Sequence, residues 1–200
     1  MKTLHDETKP RGRPRSFDRE QALERAMRVF WKQGYEATSI SDLTRAMRIN
    51  PPSLYAAFGD KERLFLEAVG RYQQTRRGPA ELLERAPTAK AAIKALLLEA
   101  ASALPDCGGC MLVTSAASGA DDSAHVQSEL AGRRQDQKAL LKARIDRGIR
   151  ERDLPRGTDS AALAEFYTTV LHGMSIRARD GATRKSLLAS ATAALRAWPA

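Results

Sequence analysis

The sequence is poor in the residue types that most catalytic and metal sites use. Its 200 residues include two cysteines and three histidines, and aromatic side chains make up only 6%. It contains no H-E-x-x-H, G-x-S-x-G, Walker A or G-x-G-x-x-G pattern, so no residue stands out as a nucleophile, a general base or a phosphate ligand. We therefore expect a protein that is not an enzyme, with no cofactor and no bound metal.

Long hydrophobic runs are also missing. No apolar stretch approaches the roughly 20 residues that a membrane-spanning helix needs. The N-terminal MKTLHDETKPRGRPRSF lacks the apolar core of a secretory signal. We expect a cytoplasmic protein without a membrane partner, in which thiols stay reduced.

Acidic residues are outnumbered, and the imbalance is uneven along the chain. There are 33 Lys and Arg against 24 Asp and Glu, a formal net charge of +9. Residues 1–77 hold 16 basic and 10 acidic side chains, whereas residues 78–200 hold 17 and 14. A basic segment of this kind suits a phosphate backbone or an anionic membrane surface, although simple solubility would also account for the charge.

Sustained period-two alternation is absent, and the apolar spacing is helical nearly throughout. From Leu163 to Met174, for example, an apolar stripe follows the spacing of one helix face. Glycine, proline and capping residues divide the chain into about nine helices, which predicts an all-α fold. Asp18 can cap the first of them, and Gly34 ends it. The predicted helices lie near 19–33, 40–47 and 51–58, from 60 onward, and near 88–104, 109–118, 122–152, 159–178 and 183–197.

Local signals are strongest around the second and third predicted helices. Ser39 and Asp42 form a capping box, and Asn50 can cap the next helix with Pro51 at its first position. Two short helices joined by a turn of about four residues, inside a basic segment, are typical of a helix-turn-helix. The second helix of such a pair enters the major groove of DNA, and the first crosses the backbone.

The same region resembles a known family. The stretches FWKQGYEATSISDL and PSLYAAFGDKERLF resemble the DNA-binding domain of TetR-family transcriptional repressors over about residues 17–70. Beyond it the chain resembles the family only in layout. The resemblance implies a basic N-terminal arm over 1–16, a three-helix helix-turn-helix domain over 17–60, and a helical ligand-binding and dimerisation domain over 61–200. The matching positions are Phe30, Gly34, Tyr35, Thr38, Ser39, Leu43, Leu54, Tyr55, Phe58, Lys61 and Leu64.

The resemblance also implies a function. It implies a ligand-responsive repressor that binds a palindromic double-stranded DNA operator as a homodimer and is released by a small apolar effector. The eighth and ninth predicted helices, near 159–178 and 183–197, would form the dimer interface. Two alternatives stay open: a thiol- or metal-sensing regulator acting through Cys107 and Cys110, and a basic architectural nucleic-acid-binding protein without an effector.

The resemblance assigns a set of DNA contacts. Tyr55 and Lys61 would meet phosphates, as would Thr38 and Ser39 at the start of the second helix. The third helix is poor in hydrogen-bond donors, so contact with thymine methyl groups would dominate its base readout. Leu43, Leu54 and Phe58 would belong to the core. The base-reading candidates on the two helices and the turn are Ser41, Thr44, Arg45, Arg48, Pro51, Pro52, Ser53 and Ala56.

Arg48 departs from the family, which usually has glycine at this position. Either its backbone adopts the left-handed conformation at some cost, or the turn differs. For Arg45 and Arg48, a plain solvated surface is an alternative of equal weight to contact with DNA.

The basic arm contains an arginine-rich motif. The segment KPRGRPRSFD places Arg11, Arg13 and Arg15 around Gly12 and Pro14. G-R-P flanked by arginines is similar to an AT-hook core, which lies in the narrow A·T minor groove. The alternative is a basic tail that attracts DNA without specificity.

The sequence does not identify the effector. The helices beyond residue 88 nevertheless offer apolar residues as candidates for effector binding, with few polar anchors, as ligand sites do. Each candidate is also explained as ordinary core or surface. The candidates are Leu97, Met111, Val126, Leu130, Phe166, Tyr167, Val170, His172 and Met174, with His125 as a further polar anchor.

The C-x-x-C pair at Cys107 and Cys110 is best explained as a helix corner. Pro105 would end one helix, and the following glycines would relax the chain so that the next helix can begin near Gly109. We expect Cys110 to pack as a small buried residue and Cys107 to be exposed. Two thiols supply only half of the ligands of a structural zinc site. A redox switch is kept as the minor alternative, since a helix N-terminus lowers the pKa of a thiol.

Deletion of residues 1–15 tests the arm. If the arginines lie in the minor groove, the truncated protein should bind its operator more weakly, and the dependence of log affinity on log salt concentration should become shallower because fewer phosphate counterions are released. Binding titrations at several salt concentrations measure both quantities. Unchanged affinity and slope would count against the arm.

Overall fold

The computed structural model describes residues 17–75, 79–115 and 123–199. Over these ranges every regular element is an α-helix, which confirms the predicted all-α fold. None of these helices combines the length and the apolar character that crossing a membrane requires. The helices are α1 (Arg19–Gln33), α2 (Ile40–Met47), α3 (Pro51–Phe58), α4 (Lys61–Thr75), α5 (Pro79–Arg85), α6 (Ala89–Cys107), α7 (Met111–Thr114), α8 (Ala124–Arg150), α9 (Ser160–Arg179) and α10 (Arg184–Leu195).

The caps predicted for the first three helices are confirmed. The Asp18 carboxylate accepts hydrogen bonds from the first backbone N–H groups of α1, and Gly34 ends that helix with a positive φ of 85°. Ser39 and Asp42 form the complete capping box of α2. The Asn50 side chain accepts from the Ser53 N–H at 2.8 Å, with prolines in the first turn of α3. These bonds satisfy N–H groups that have no partner inside the helix.

The turn of the helix-turn-helix carries a strained arginine. Arg48 ends α2 with φ 59° and ψ 43°, the left-handed conformation, and its N–H donates to the Thr44 carbonyl. A non-glycine residue rarely adopts this conformation. The left-handed turn therefore forms without the glycine that the family usually has there.

The first core is built by α1 to α4. Leu43, Leu54 and Phe58 are 0%, 0% and 5% exposed, as the family resemblance implied. Phe30 of α1 meets Phe65 of α4 edge to face, with ring centroids 5.0 Å apart. Buried side chains of α7 and α8 join the same cluster, so it continues past the helix-turn-helix into the second half of the chain.

The second core is centred on α6. This helix packs against α5, α8, α9 and α10. Its apolar residues, together with Tyr167 of α9 and Leu187 of α10, form one continuous buried cluster. The two cores meet where α7 contacts α4, α8 and α9.

Two predictions about the middle of the chain are wrong. Pro105 does not end a helix, because α6 continues to Cys107 and closes on Gly108 in the left-handed conformation. Proline removes only one backbone donor, and α6 extends just two residues beyond Pro105. The structure also contains α5, which the sequence analysis missed, and α7 is shorter than predicted.

Replacing Leu43 with alanine tests the first core. Because the side chain is fully buried, Leu43→Ala should lower the free energy of unfolding by about 2–5 kcal/mol. Ser41→Ala is the control on the same helix, since Ser41 is exposed and its loss should cost within about 0.5 kcal/mol. Chemical denaturation measures both. Equal changes in the free energy of unfolding for Leu43→Ala and Ser41→Ala would show that α2 does not contribute to a packed core.

Candidate nucleic-acid interface and effector cavity

The exposed face of α3 carries the predicted base-reading residues. Pro51, Pro52 and Ala56 are exposed, and Ser53 is half-buried. Tyr55 is 49% exposed, which is unusual for a large aromatic side chain. A surface tyrosine beside small apolar residues leaves its hydroxyl free to reach a phosphate while the apolar groups meet base edges.

Lys61 lies at the start of α4, beside this face. Its ammonium is 4.4 Å from the centroid of the Tyr35 ring. Burial lowers the pKa of Lys61 below its usual value, and the nearby Glu36 carboxylate opposes that effect. The tyrosine ring therefore holds the ammonium near the N-terminus of α4, where helix dipole and side chain both favour an anion.

Thr38 is buried, whereas the predicted phosphate contact would need it at the surface. Its side chain is 1% exposed, and its hydroxyl donates to the Gly34 carbonyl at 2.6 Å. A buried hydroxyl with a strong internal partner cannot meet a phosphate, so Thr38 stabilises the turn before α2. Ser39 is exposed, and its hydroxyl donates to Asp42 at 2.6 Å as part of the capping box.

The remaining donors of the helix-turn-helix are mostly free to move. Ser41, Arg45 and Arg48 are exposed. Arg45 lies 3.6 Å from Asp42 with 80% of its side chain exposed, so this ion pair is weak and can be exchanged for a phosphate or a base. Thr44 is half-buried and donates to the Ile40 carbonyl at 3.0 Å. Arg11, Arg13 and Arg15 lie outside the described residues.

A cavity of about 530 Å³ opens between α4, α5, α6, α7, α8 and α9. Leucine, alanine and valine side chains make up much of its wall. The polar side chains that line it are Tyr72, Gln73, Thr75, Glu99, Arg133, Asp136, Gln137, Thr168 and His172.

Of the nine effector candidates, only His172 lines this cavity. Phe166 is 40% exposed at the surface, and Val170 is half-buried against the second core. The helical stripe shows which residues point inward, but it cannot show which inward faces leave a space between them. The other six candidates are core residues, namely Leu97, Met111, Val126, Leu130, Tyr167 and Met174.

The cavity residues that sequence analysis missed carry few sequence signals. Leu96, Ala100 and Leu104 share a face of α6 and resemble any core positions. Thr168 does carry a signal, since it is a polar residue inside an apolar stripe. Its hydroxyl is buried and has no hydrogen-bond partner among the described residues. An unpaired buried hydroxyl is costly, which makes this wall of the cavity suited to a ligand that supplies a partner.

The electrostatics of the cavity favour a neutral histidine. Burial lowers the pKa of His172 below its usual value of 6.5, and the positive charge of Arg134 lowers it further, while Glu165 opposes both. His172 is therefore uncharged at neutral pH. It can donate one hydrogen bond and accept another.

Both cysteines are free thiols and half-buried. Cys107 was expected to be exposed, but its thiol turns back onto α6 and donates to the Ala103 carbonyl at 3.0 Å. Cys110 lines the cavity, and its sulfur accepts a hydrogen bond from the Tyr72 hydroxyl at 3.3 Å. In the described parts of the chain, no three His, Cys, Asp or Glu side chains come together as a metal would require.

The lowered pKa of His172 predicts a pH dependence of stability. Between that pKa and 6.5 the unfolded chain binds more protons than the folded one, so the free energy of unfolding should fall as pH drops below about 6.5. Denaturation at several pH values should show this loss, and His172→Gln should reduce it. His125→Gln, at an exposed histidine, is the control and should retain it. Identical pH profiles for the wild type and His172→Gln would contradict the assignment.

Two family models match the chain. One, described as bacterial regulatory proteins of the tetR family, matches residues 22–68, which cover α2, α3 and most of α1 and α4. The other, described as a tetracyclin repressor-like C-terminal domain, matches residues 89–195. Together they cover the helix-turn-helix and α6 to α10, which include most of the helices that line the cavity.

Individual relatives agree with the family models. The HTH-type transcriptional repressor ComR of Escherichia coli is 34% identical over 198 residues, which cover 96% of this chain and 93% of ComR. The repressor BdcR of the same organism is 32% identical over 188 residues, covering 92% and 90%. A cysteine variant of the regulator CifR, solved with 26-bp double-strand operator DNA, has a TM-score of 0.90 and 46% identity over 94% of this chain and all of CifR. The chain therefore belongs to the TetR family of bacterial regulatory proteins.

Proposed function

We propose that this protein is a transcriptional repressor that binds a palindromic DNA operator as a homodimer and releases it when a small molecule occupies the cavity. The observation that carries the proposal is the pairing of an exposed, donor-poor α3 face with an internal cavity of about 530 Å³ in one chain. The similar proteins ComR and BdcR are named transcriptional repressors, and CifR was solved on operator DNA.

We assign DNA recognition to the helix-turn-helix of residues 17–60 and the adjacent Lys61. Tyr55 and Lys61 would hold two phosphates and so set the position of α3. The apolar groups of Pro51, Pro52 and Ala56 would meet thymine methyl groups in the major groove. Arg45 and Arg48 would supply charge and hydrogen bonds from α2 and the turn, and Ser41 and Ser53 would add short-range donors.

We assign ligand binding and dimerisation to residues 61–200. The α9 and α10 helices would pair two subunits, as the layout of the family implies. Phe166 and Ile176 of α9 support this assignment because they are 40% and 39% exposed in a single chain. Large apolar side chains left at the surface of one helix are typical of an interface with another subunit.

The cavity indicates the chemical class of the effector. Its volume falls within the range of about 300–1,000 Å³ that small-molecule sites occupy. Its wall is mainly apolar, and His172 is neutral at physiological pH. We therefore propose an uncharged, mostly apolar molecule with at least one hydrogen-bonding group, which would pair with Thr168 or His172.

No specific observation favours the two other functions. A basic architectural protein without an effector would have no use for an internal cavity lined by six helices. A metal sensor would need more ligands than the described residues bring together. A thiol sensor would use Cys107 and Cys110, but the Cys107 thiol donates to a backbone carbonyl within its own helix and the Cys110 sulfur accepts from the Tyr72 hydroxyl. We also propose that the protein has no catalytic activity of its own.

Footprinting on the DNA upstream of its own gene tests the repressor proposal. A dimer on a palindrome should protect two half-sites about 34–36 Å apart or a multiple of that distance. Tyr55→Phe should weaken binding roughly tenfold or more, because the lost hydroxyl would bond a charged phosphate. Ser128→Ala is the control, since it removes a hydroxyl that is exposed on α8, outside the helix-turn-helix, and should leave operator affinity unchanged.

Three results would contradict parts of this proposal. Sequence-blind binding without a protected palindrome would support the architectural alternative. A monomer by light scattering at micromolar concentration, with or without DNA, would exclude the assigned dimer. Equal affinities for the wild type and Tyr55→Phe would remove Tyr55 from the DNA contacts and leave the footprint to decide the rest.

A further inference from the structure

One indole links the DNA-binding helices to the wall of the cavity. The Nε1–H of Trp31, in the last part of α1, donates to the carbonyl oxygen of Gly109 at 2.8 Å. The same ring meets Tyr72 of α4 edge to face, with centroids 4.8 Å apart. Trp31 is thus in contact with α4 and with the turn between α6 and α7.

The partners of Trp31 belong to the cavity. Tyr72 is 4% exposed, lines the cavity, and donates its hydroxyl to the sulfur of Cys110. Cys110 follows Gly109 directly and lines the cavity itself. A molecule in the cavity can therefore reach Tyr72, whose ring contacts the indole, and Cys110, whose neighbour Gly109 accepts the indole hydrogen bond.

The turn at Gly109 cannot move independently of α9. Gly109 has φ +94°, and a Cβ there would lie 2.6 Å from the carbonyl oxygen of Ser175. The N–H of Cys110 donates to the Ser175 hydroxyl at 2.7 Å, and Arg179 donates to the Thr114 carbonyl at 2.6 Å. Close contact and hydrogen bonds thus bind the turn and α7 to α9, one of the helices assigned to the dimer interface.

We propose that Trp31 couples the cavity to the helix-turn-helix, by holding α1 to the Gly109–Cys110 turn through its indole N–H. This inference rests on the proposed function. A molecule that displaces Tyr72 or Cys110 changes the position of the Gly109 carbonyl, and the hydrogen bond passes that change to α1. Because α1 packs against both α2 and α4, the orientation of the DNA-reading helices changes with it. Coupling of this kind is reciprocal, so DNA binding should also alter the turn.

A double-mutant cycle measures the coupling without knowing the effector. Ala100→Phe adds a ring to the cavity from the α6 wall, at a residue that is not part of the Gly109–Cys110 turn, and stands in for an occupant. Trp31→Phe keeps an aromatic ring on Tyr72 and removes the N–H donor. Operator affinity is measured for the wild type, both single variants and the double variant. We expect Ala100→Phe to weaken binding at least tenfold in the wild type and less than threefold in the Trp31→Phe background.

The second tryptophan gives a matched control. The chain has two tryptophans, and Trp198 packs against Tyr167 in the second core. Trp198→Phe makes the same chemical change away from the turn, so Ala100→Phe should still weaken operator binding at least tenfold in that background. Trp198→Phe also leaves Trp31 as the sole tryptophan, and its emission spectrum should shift when Ala100→Phe is added. Thermal unfolding by circular dichroism confirms that each variant is folded, and Ala100→Leu replaces Ala100→Phe if that variant is not.

The outcomes separate the role of Trp31 from effector control through the cavity. If filling the cavity weakens operator binding equally in the wild type and in the Trp31→Phe background, the cavity controls DNA binding but Trp31 does not transmit the signal. If filling the cavity changes neither operator affinity nor Trp31 emission in any background, effector control through this cavity fails, and the role of Trp31 fails with it. If Ala100→Phe no longer weakens operator binding in the Trp198→Phe background, the inference is also overturned, because losing either tryptophan would then have the same consequence.

Discussion

The packing of α4 against α1 is the contact on which the rest of the structure depends. Phe30 and Phe65 are fully buried where the two helices meet. At the N-terminal end of α1, Arg19 pairs with Glu67 of α4 at 2.5 Å, and its guanidinium lies over the Phe58 ring. The α4 helix therefore completes the core of the helix-turn-helix, and further along it supplies Tyr72 to the cavity. One helix serves both halves of the protein, so neither half can be rearranged without affecting the other.

The short α7 helix depends on its neighbours for stability. A helix of four residues has too few internal hydrogen bonds to persist alone. Side chains from three other helices donate to carbonyls of the turn and of α7: Trp31 to Gly109, Arg134 to Leu112, and Arg179 to Thr114. These bonds satisfy acceptors that the short helix leaves open. They also make α7 a meeting point of α1, α8 and α9, which explains its position at the boundary between the two cores.

The predictions that succeeded relied on interactions between residues close in the chain. The caps at Asp18, Ser39 and Asn50 each join groups within three residues, so their residue types are visible in the sequence. The left-handed backbone of Arg48 is one of the two alternatives that the family's usual glycine left open at this position. The prediction for Thr38 failed because its burial depends on the packing of α1 and α2, which local spacing does not describe. Pro105 was also misjudged, because the proline removes only one backbone hydrogen bond and α6 closes two residues beyond it, before Gly108.

The sequence by itself determined the helical character of the chain and the helix-turn-helix with its caps, because these features follow from side-chain periodicity and short-range hydrogen bonds. It also indicated the family, through a resemblance at particular positions between Phe30 and Leu64. Only the tertiary structure decided where the cavity lies, which polar groups face it, and how α1 reaches the Gly109 turn. A cavity is a gap between faces of helices that are distant in the chain, and its size depends on how those helices cross. The pair Trp31 and Gly109 is separated by 78 residues, so no local pattern could have joined them.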